Sequence, residues 1–236
     1  MRDARTRLIV PRLPEPGTTL SLGGSEAAHL RARRLAAGDS VVLLDGSGRE
    51  ARAEIVATSR GKATLRVSEI LGDGSPTLPT TLFLAGLKPD RLSWAVEKAT
   101  ELGATQVNIV RSERTQSFRA APTLLPRLER VARESAKQCG RADWPSLSGP
   151  VPIERVLADE RSAHRLFLDF DGAPFPRKLS GAPAALVIGP EGGWTAGERN
   201  AAAEHGWTIV TLPAGRLRAE TAAVAALALV NAARER

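Results

Sequence analysis

Hydrophobic positions change their spacing about a third of the way along the chain. Before residue 70 they come in short runs: Leu8-Ile9-Val10, Val41-Val42-Leu43-Leu44, Ala53 to Ala57 and Ala63 to Val67, with glycine-rich turns such as Asp45-Gly46-Ser47-Gly48 between them. Short apolar runs bounded by turn residues predict β-strands. Ser25 to Leu35 reads as a short helix with Ser25 as N-cap. The expectation is a small β-barrel-like unit over residues 1–73, followed by a linker at Gly72-Asp73-Gly74-Ser75-Pro76.

From residue 80 onward, strands and helices alternate. Thr81 to Leu87 is almost continuously apolar, as a strand covered on both faces must be. Asp90 to Leu102 carries Leu92, Ala95, Val96, Ala99 and Leu102 at helical spacing and is closed by Gly103. Leu124 to Cys139 predicts an amphipathic helix with Leu124, Leu128, Val131, Ala132 and Cys139 facing inward. Val107 to Val110, Arg165 to Phe170, Ala184 to Ile188 and Trp207 to Leu212 predict strands. Thr195 with Glu198 forms a capping box, and Gly206 stops the helix it starts. The last helix, Glu220 to Ala233, is apolar nearly all round and is expected to be buried. This alternation predicts an α/β domain over 74–236, a parallel sheet with helices on both faces.

Composition narrows the function classes. With 42% hydrophobic and 25% charged residues in a chain of 236, the protein is expected to bury a core without disulfides or metals. The single cysteine, Cys139, cannot form an internal bridge, and with the scattered His29, His164 and His205 it does not make a zinc cluster, so no metal is expected. The longest apolar run, Ala222 to Val230, is too short to span a bilayer, and Met1 to Val10 lacks a signal-peptide core. A cytoplasmic protein without a membrane partner is the expectation. The net charge is +7, and arginine supplies it, because only five of the 33 basic residues are lysines. The whole surplus lies in residues 1–150, while 151–236 is neutral. Such a division separates a polyanion-facing part from a neutral one.

Two turns follow predicted strands at the end of the sheet where ligands bind. The first is Gly189-Pro190-Glu191-Gly192-Gly193-Trp194. Its glycines permit close approach of a ligand, but Pro190 lacks an amide and Glu191 would repel phosphate. No G-x-x-x-x-G-K-[ST] or G-x-G-x-x-G occurs in the chain. The turn therefore suits a neutral or cationic ligand, or else it is a tight connection that binds nothing. The second turn, Leu212 to Thr221, combines Pro213, Gly215, Arg216 and Arg218 before the last helix; it reads equally as an exposed loop.

Four blocks occur in order: Lys88-Pro89-Asp90-Arg91 with Glu97 to Gly103, Gln138-Cys139-Gly140-Arg141, Gly189 to Trp194, and Arg216 to Ala222. Together they resemble the bacterial 16S ribosomal RNA uridine-N3 methyltransferases of the SPOUT superfamily, over nearly the whole chain. The stretch His29 to Arg34 with Gly38 to Val42 resembles that family's PUA-like RNA-binding barrel. Departures are mild: Ala219 stands where Leu or Thr is frequent, and Lys137 where an acid is frequent.

The resemblance implies a C-terminal SPOUT domain with a trefoil knot, S-adenosylmethionine as cofactor, and a homodimer acting on 16S rRNA or the 30S subunit. It implies cofactor contacts at Ile188, Gly189, Glu191, Gly192, Leu212, Gly215, Leu217 and Arg218. Arg218 is the first candidate to stabilise the uridine anion, and Glu191 is a candidate base or a structural hydrogen-bonding group. Arg33, Arg34, Arg114 and Arg141 are candidate RNA contacts. Cys139 is expected to be a buried thiol without a catalytic duty. The alternatives are another SPOUT methyltransferase, acting on a ribose 2′-OH or a tRNA base, and a non-catalytic RNA-binding assembly factor.

Overall fold

The protein is described here by a computed structural model covering residues 6–72, 78–115 and 118–234. The expected linker lies, beyond Gly72, outside the described residues. The chain forms two compact units, one drawn from the first 76 residues with Ala136–Asp143, the other from residues 77–135 with Trp144–Arg236.

The N-terminal unit contains β1 (Arg7–Ile9), β2 (Thr19–Gly23), α1 (Gly24–Ala32), β3 (Ser40–Leu44), β4 (Glu50–Ser59) and β5 (Lys62–Ile70). The strands form one sheet in the order β1-β3-β4-β5-β2, with β1 parallel to β3 and the other pairs antiparallel. Irregular register near Ala53 and Ala57 bends the long β4–β5 pair. Leu8, Leu30, Val41, Leu43, Ile55 and Leu65 fill its core. The helix begins one residue earlier than Ser25: Gly23 is the N-cap, without a side-chain cap, and Ser25 is helical. It also ends earlier than Leu35, because Arg34 takes a left-handed backbone, φ 56°. Lys137 Nζ lies 3.1 Å from the Glu26 carboxylate, which also accepts the Ile9 amide at 3.2 Å. An acid at 137 would face Glu26, which gives the departure at this position a local reason.

The second unit contains β6 (Thr80–Ala85), α2 (Pro89–Glu101), β7 (Gln106–Arg111), α3 (Leu124–Cys139, whose last four residues count with the first unit), β8 (Ser146–Pro152), α4 (Ile153–Asp159), β9 (His164–Pro174), β10 (Ala184–Ile188), α5 (Ala196–Glu204), β11 (Thr208–Thr211) and α6 (Ala219–Ala233). Its sheet is parallel throughout, in the order β11-β9-β10-β6-β7-β8. Alternate residues face opposite ways. Leu82, Leu84, Leu166, Leu186 and Ile188 pack under α2, α3 and α6, while Phe83, Phe167, Ala185 and Val187 pack with α4 and Ala202 of α5. The central strands β6 and β10 are buried along their whole length, which is why they read as unbroken apolar runs.

Three expectations are corrected. Cys139 is exposed, its thiol 3.7 Å from the Ala136 carbonyl; Ser135 and Ala136 take the inward places one turn earlier, and Ser135 Oγ donates to the Glu97 carbonyl at 3.0 Å. The last helix is buried on one face only, through Ala219, Ala223, Ala226, Leu227, Val230 and Ala233; Thr221 and Ala228 are exposed. Edge strand β8 went unpredicted because Gly149, Pro150 and Pro152 interrupt it, residues that a sheet edge tolerates and a sheet centre does not.

Arg234 closes the domain. It is buried, and its guanidinium donates to the carbonyls of Leu78, Pro79 and Ala182 and, at 2.7 Å, to Thr80 Oγ1. Burial pushes its pKa down from the usual guanidinium range. Arg234→Ala leaves these acceptors unsatisfied and is expected to lower unfolding free energy by about 2–4 kcal/mol, read by urea denaturation. A loss below about 1 kcal/mol would contradict this role.

Candidate functional site

The carboxyl ends of β9, β10 and β11 enclose one pocket. The pairing of β9 with β11 jumps from Phe167–Ile209 to Ala173–Val210, so residues 168–172 leave the ladder. Three of them, Leu168, Asp169 and Phe170, enter the pocket wall. The turn after β10 contributes Gly189, Pro190, Glu191, Gly193 and Trp194, and the segment after β11 contributes Leu212, Ala214, Gly215, Arg216 and Leu217.

Trp194 joins these segments. Its indole lies 4.6 Å from the Phe167 ring, and Nε1–H donates to the Leu168 carbonyl at 2.9 Å. A Cβ on Gly189 would sit 2.8 Å from this indole, so no larger residue fits without displacing it. The next residue, Thr195, caps α5: Oγ1 accepts the Glu198 amide, and Glu198 Oε2 accepts the Thr195 amide at 2.8 Å. Buried Glu198 also accepts the Glu113 amide at 2.8 Å. Its neighbour Arg114 donates to the Gly192 carbonyl, so the glycine turn is held from both ends.

The charges divide clearly. Asp169 and Glu191 place two carboxylates in the pocket wall, and Arg216 is its one cation among the described residues. Asp169 pairs with Arg199 Nε at 3.2 Å, and the Arg216 guanidinium lies 4.8 Å from the centre of the Phe170 ring. Arg91 of α2 pairs with Glu191 and stands 3.6 Å from buried Glu220. A wall with two acids and one cation does not suit a phosphate chain.

Of the residues singled out from sequence, Ile188, Gly189, Glu191, Leu212, Gly215 and Leu217 meet in this pocket. Gly192 faces an adjoining cleft instead. Arg218 is exposed, serves as the N-cap residue of α6 and is not part of the pocket wall. Arg33 and Arg34 are exposed at the end of α1. Arg141 donates to Asp143 at 3.0 and 2.9 Å. The Leu168–Phe170 wall escaped sequence reasoning. The neighbouring positions of β9 and β10 would have pointed to it, but strand order is not written in hydropathy.

A parallel sheet with two ligand-facing turns beyond strands that flank a third, β10 and β11 on either side of β9, defines a small-molecule-binding α/β domain. The family described as RNA methyltransferase domain matches residues 74–231, and the family described as RNA methyltransferase PUA domain matches residues 22–68. The chain belongs to this RNA methyltransferase family. Ribosomal RNA small subunit methyltransferase E of Synechocystis is 33% identical over 96% of this chain and 77% of its own length. The protein of that name from Mycobacterium tuberculosis is 31% identical over 94% and 89%. Among solved structures, the Neisseria gonorrhoeae protein of that name, bound to S-adenosyl methionine, superposes with a TM-score of 0.86 at 26% identity, covering 96% of both chains. The SPOUT fold with a PUA unit before it, expected from the sequence, is borne out by these matches.

The two turn glycines give a matched test. A Cβ at Gly189 meets Trp194, whereas a Cβ at Gly215 meets nothing within 4 Å. Gly189→Ala is expected to cost about 1–3 kcal/mol of stability and Gly215→Ala less than about 0.5 kcal/mol, by denaturant titration. Equal effects would contradict the indole contact.

Proposed function

We propose that the chain is an S-adenosylmethionine-dependent methyltransferase acting on N3 of a uridine in 16S ribosomal RNA. The observation that carries this reading is the pocket itself: two turns and a strand bulge meet around apolar walls and two carboxylates, in a chain that aligns nearly end to end with small-subunit rRNA methyltransferases.

The residues present fit this cofactor. Leu168, Ile188, Val210, Leu212 and Leu217 offer apolar surface to an adenine, and backbone groups of the turns at Gly189 and Gly215 offer hydrogen bonds. Asp169 and Glu191 complement a cation. When bound, S-adenosylmethionine supplies an electrophilic methyl group on a sulfonium. Arg218, exposed at the positive end of α6, stabilises the negative charge that develops on uracil oxygens as N3 loses its proton. Glu191, held by Arg91, accepts that proton or orients the base.

Residues 1–73 act as the RNA-gripping unit through Arg33 and Arg34, and residues 74–236 as the catalytic domain with its trefoil knot. Arg114 and Arg141 reach RNA only with donors left over from Gly192 and Asp143. The uncovered side of α6, with Val224, Ala225, Ala228 and Leu229 half-buried or exposed, supports a homodimer. No helix among the described residues is long and apolar enough to cross a membrane; the 30S particle as substrate places the protein in the cytoplasm.

Incubating the protein with 30S subunits and S-adenosylmethionine, then digesting the RNA for mass spectrometry, is expected to yield 3-methyluridine. A 2′-O-methylated nucleoside, another methylated base or no product would contradict the assignment. Arg218→Ala is expected to reduce turnover about 100-fold or more with the cofactor dissociation constant within about threefold of wild type. Weakened cofactor binding with unchanged turnover would make Arg218 a binding residue instead.

A further inference from the structure

The glycine turn has a second side. Behind Pro190 and Glu191, and sharing both with the first pocket, lies a cleft of about 580 Å³ between the β6–α2 turn, residues 114–115 and 118–123, and the start of α3. This volume lies within the range of roughly 300–1,000 Å³ for small-molecule sites. Its chemistry is opposite to that of its neighbour. Lys88, Arg91, Arg114, Arg119 and Arg127 line it against one acid, Glu191.

Four of these cations are engaged with the protein: Arg91 with Glu191, Arg114 with the Gly192 carbonyl, Arg127 with Asp90 at 2.8 Å, and Arg119, through one of its five N–H donors, with the Phe118 carbonyl at 3.1 Å. Lys88 is exposed at the N-cap of α2, and exposed Arg119, on the 118–121 segment, lines the same cleft. The aromatic in the wall is Phe118, half-buried. A Cβ on Gly86 would lie 2.5–2.8 Å from its ring atoms, so this glycine is what lets the ring lie against the β6–α2 turn. Cations flanking an aromatic face are the chemistry that holds single-stranded nucleic acid: phosphates on the charges, a base on the ring.

We propose that this cleft receives the target nucleotide of the RNA, its base against Phe118 and its phosphate between Lys88 and Arg119. The inference rests on the methyltransferase reading for what happens next: the two pockets adjoin at Pro190 and Glu191, and at that shared edge N3, its proton lost to Glu191, takes the methyl carbon directly while the sulfur leaves as a neutral thioether. It also explains why the phosphate-binding charge is absent from the first pocket and gathered in the second.

The test uses the full-length protein and a fluorescein-labelled 12-nucleotide oligouridylate, with binding read by fluorescence anisotropy over a salt series. Phe118→Leu keeps apolar contact with Gly86 and removes the π face; it is expected to weaken binding about tenfold. Lys88→Gln, at an exposed position, is expected to lower the slope of log affinity against log salt by about 0.7. Calorimetric affinity for S-adenosylmethionine is expected to stay unchanged in both. Oligouridylate binding indifferent to both substitutions, or no binding by the wild-type chain, would overturn the proposal. Binding that depends on Phe118 and Lys88 in a protein that methylates no 30S subunit would support the cleft and refute the enzymatic reading. Methylation of 30S subunits unaffected by both substitutions would do the reverse.

Discussion

An indole wedged beneath a glycine turn sets the geometry of the proposed methyl-donor pocket. Trp194 lies against Phe167, donates to the Leu168 carbonyl and excludes any side chain from Gly189. One residue thereby fixes the height of the β10 turn, the exit of the β9 bulge and the start of α5 behind its Thr195 cap. Close packing is bistable rather than elastic, so the hollow beside the indole is a consequence of how this side chain is housed. The turn that looked like a phosphate cradle by its glycines is shaped by an internal aromatic contact.

The same turn separates two environments. On one side, Asp169 and Glu191 outnumber Arg216; on the other, five cations face Glu191 alone. Glu191 belongs to both, and Arg91 keeps it paired. Such a boundary suits a transfer between a cationic donor and an anionic acceptor, because each partner is drawn to its own side. Turns 189–194 and 212–217 and the Arg114 and Glu198 contacts that hold the first of them all serve that boundary.

Much of this was legible in the amino-acid order, for identifiable reasons. β6 and β10 were readable because burial on both faces leaves no polar positions, and α5 because Thr195 and Glu198 complete a reciprocal cap. Six of the proposed cofactor contacts meet in one pocket because both turns directly follow strands of a parallel sheet. What escaped has physical causes too. The β9 bulge is a register shift against a strand 40 residues away, which no local pattern encodes. Cys139 sits at a helical interval from Leu128 and Ala132, yet Ser135 and Ala136 occupy the inward positions of the final turns. The cleft around Phe118 draws on the β6–α2 turn, residues 114–115 and 118–123, and α3, and only tertiary structure assembles it.

The central claim is that the turns at 189–194 and 212–217 form a pocket for a positively charged adenosyl donor. Calorimetric titration of the full chain with S-adenosylmethionine and, separately, with ATP tests it most directly, because both carry adenosine, joined at its 5′ carbon to a sulfonium-bearing amino acid in the first and to a polyanionic triphosphate in the second. The account predicts saturable binding of S-adenosylmethionine and none of ATP over the same concentrations. Binding of ATP as tight as that of S-adenosylmethionine, or tighter, would contradict it.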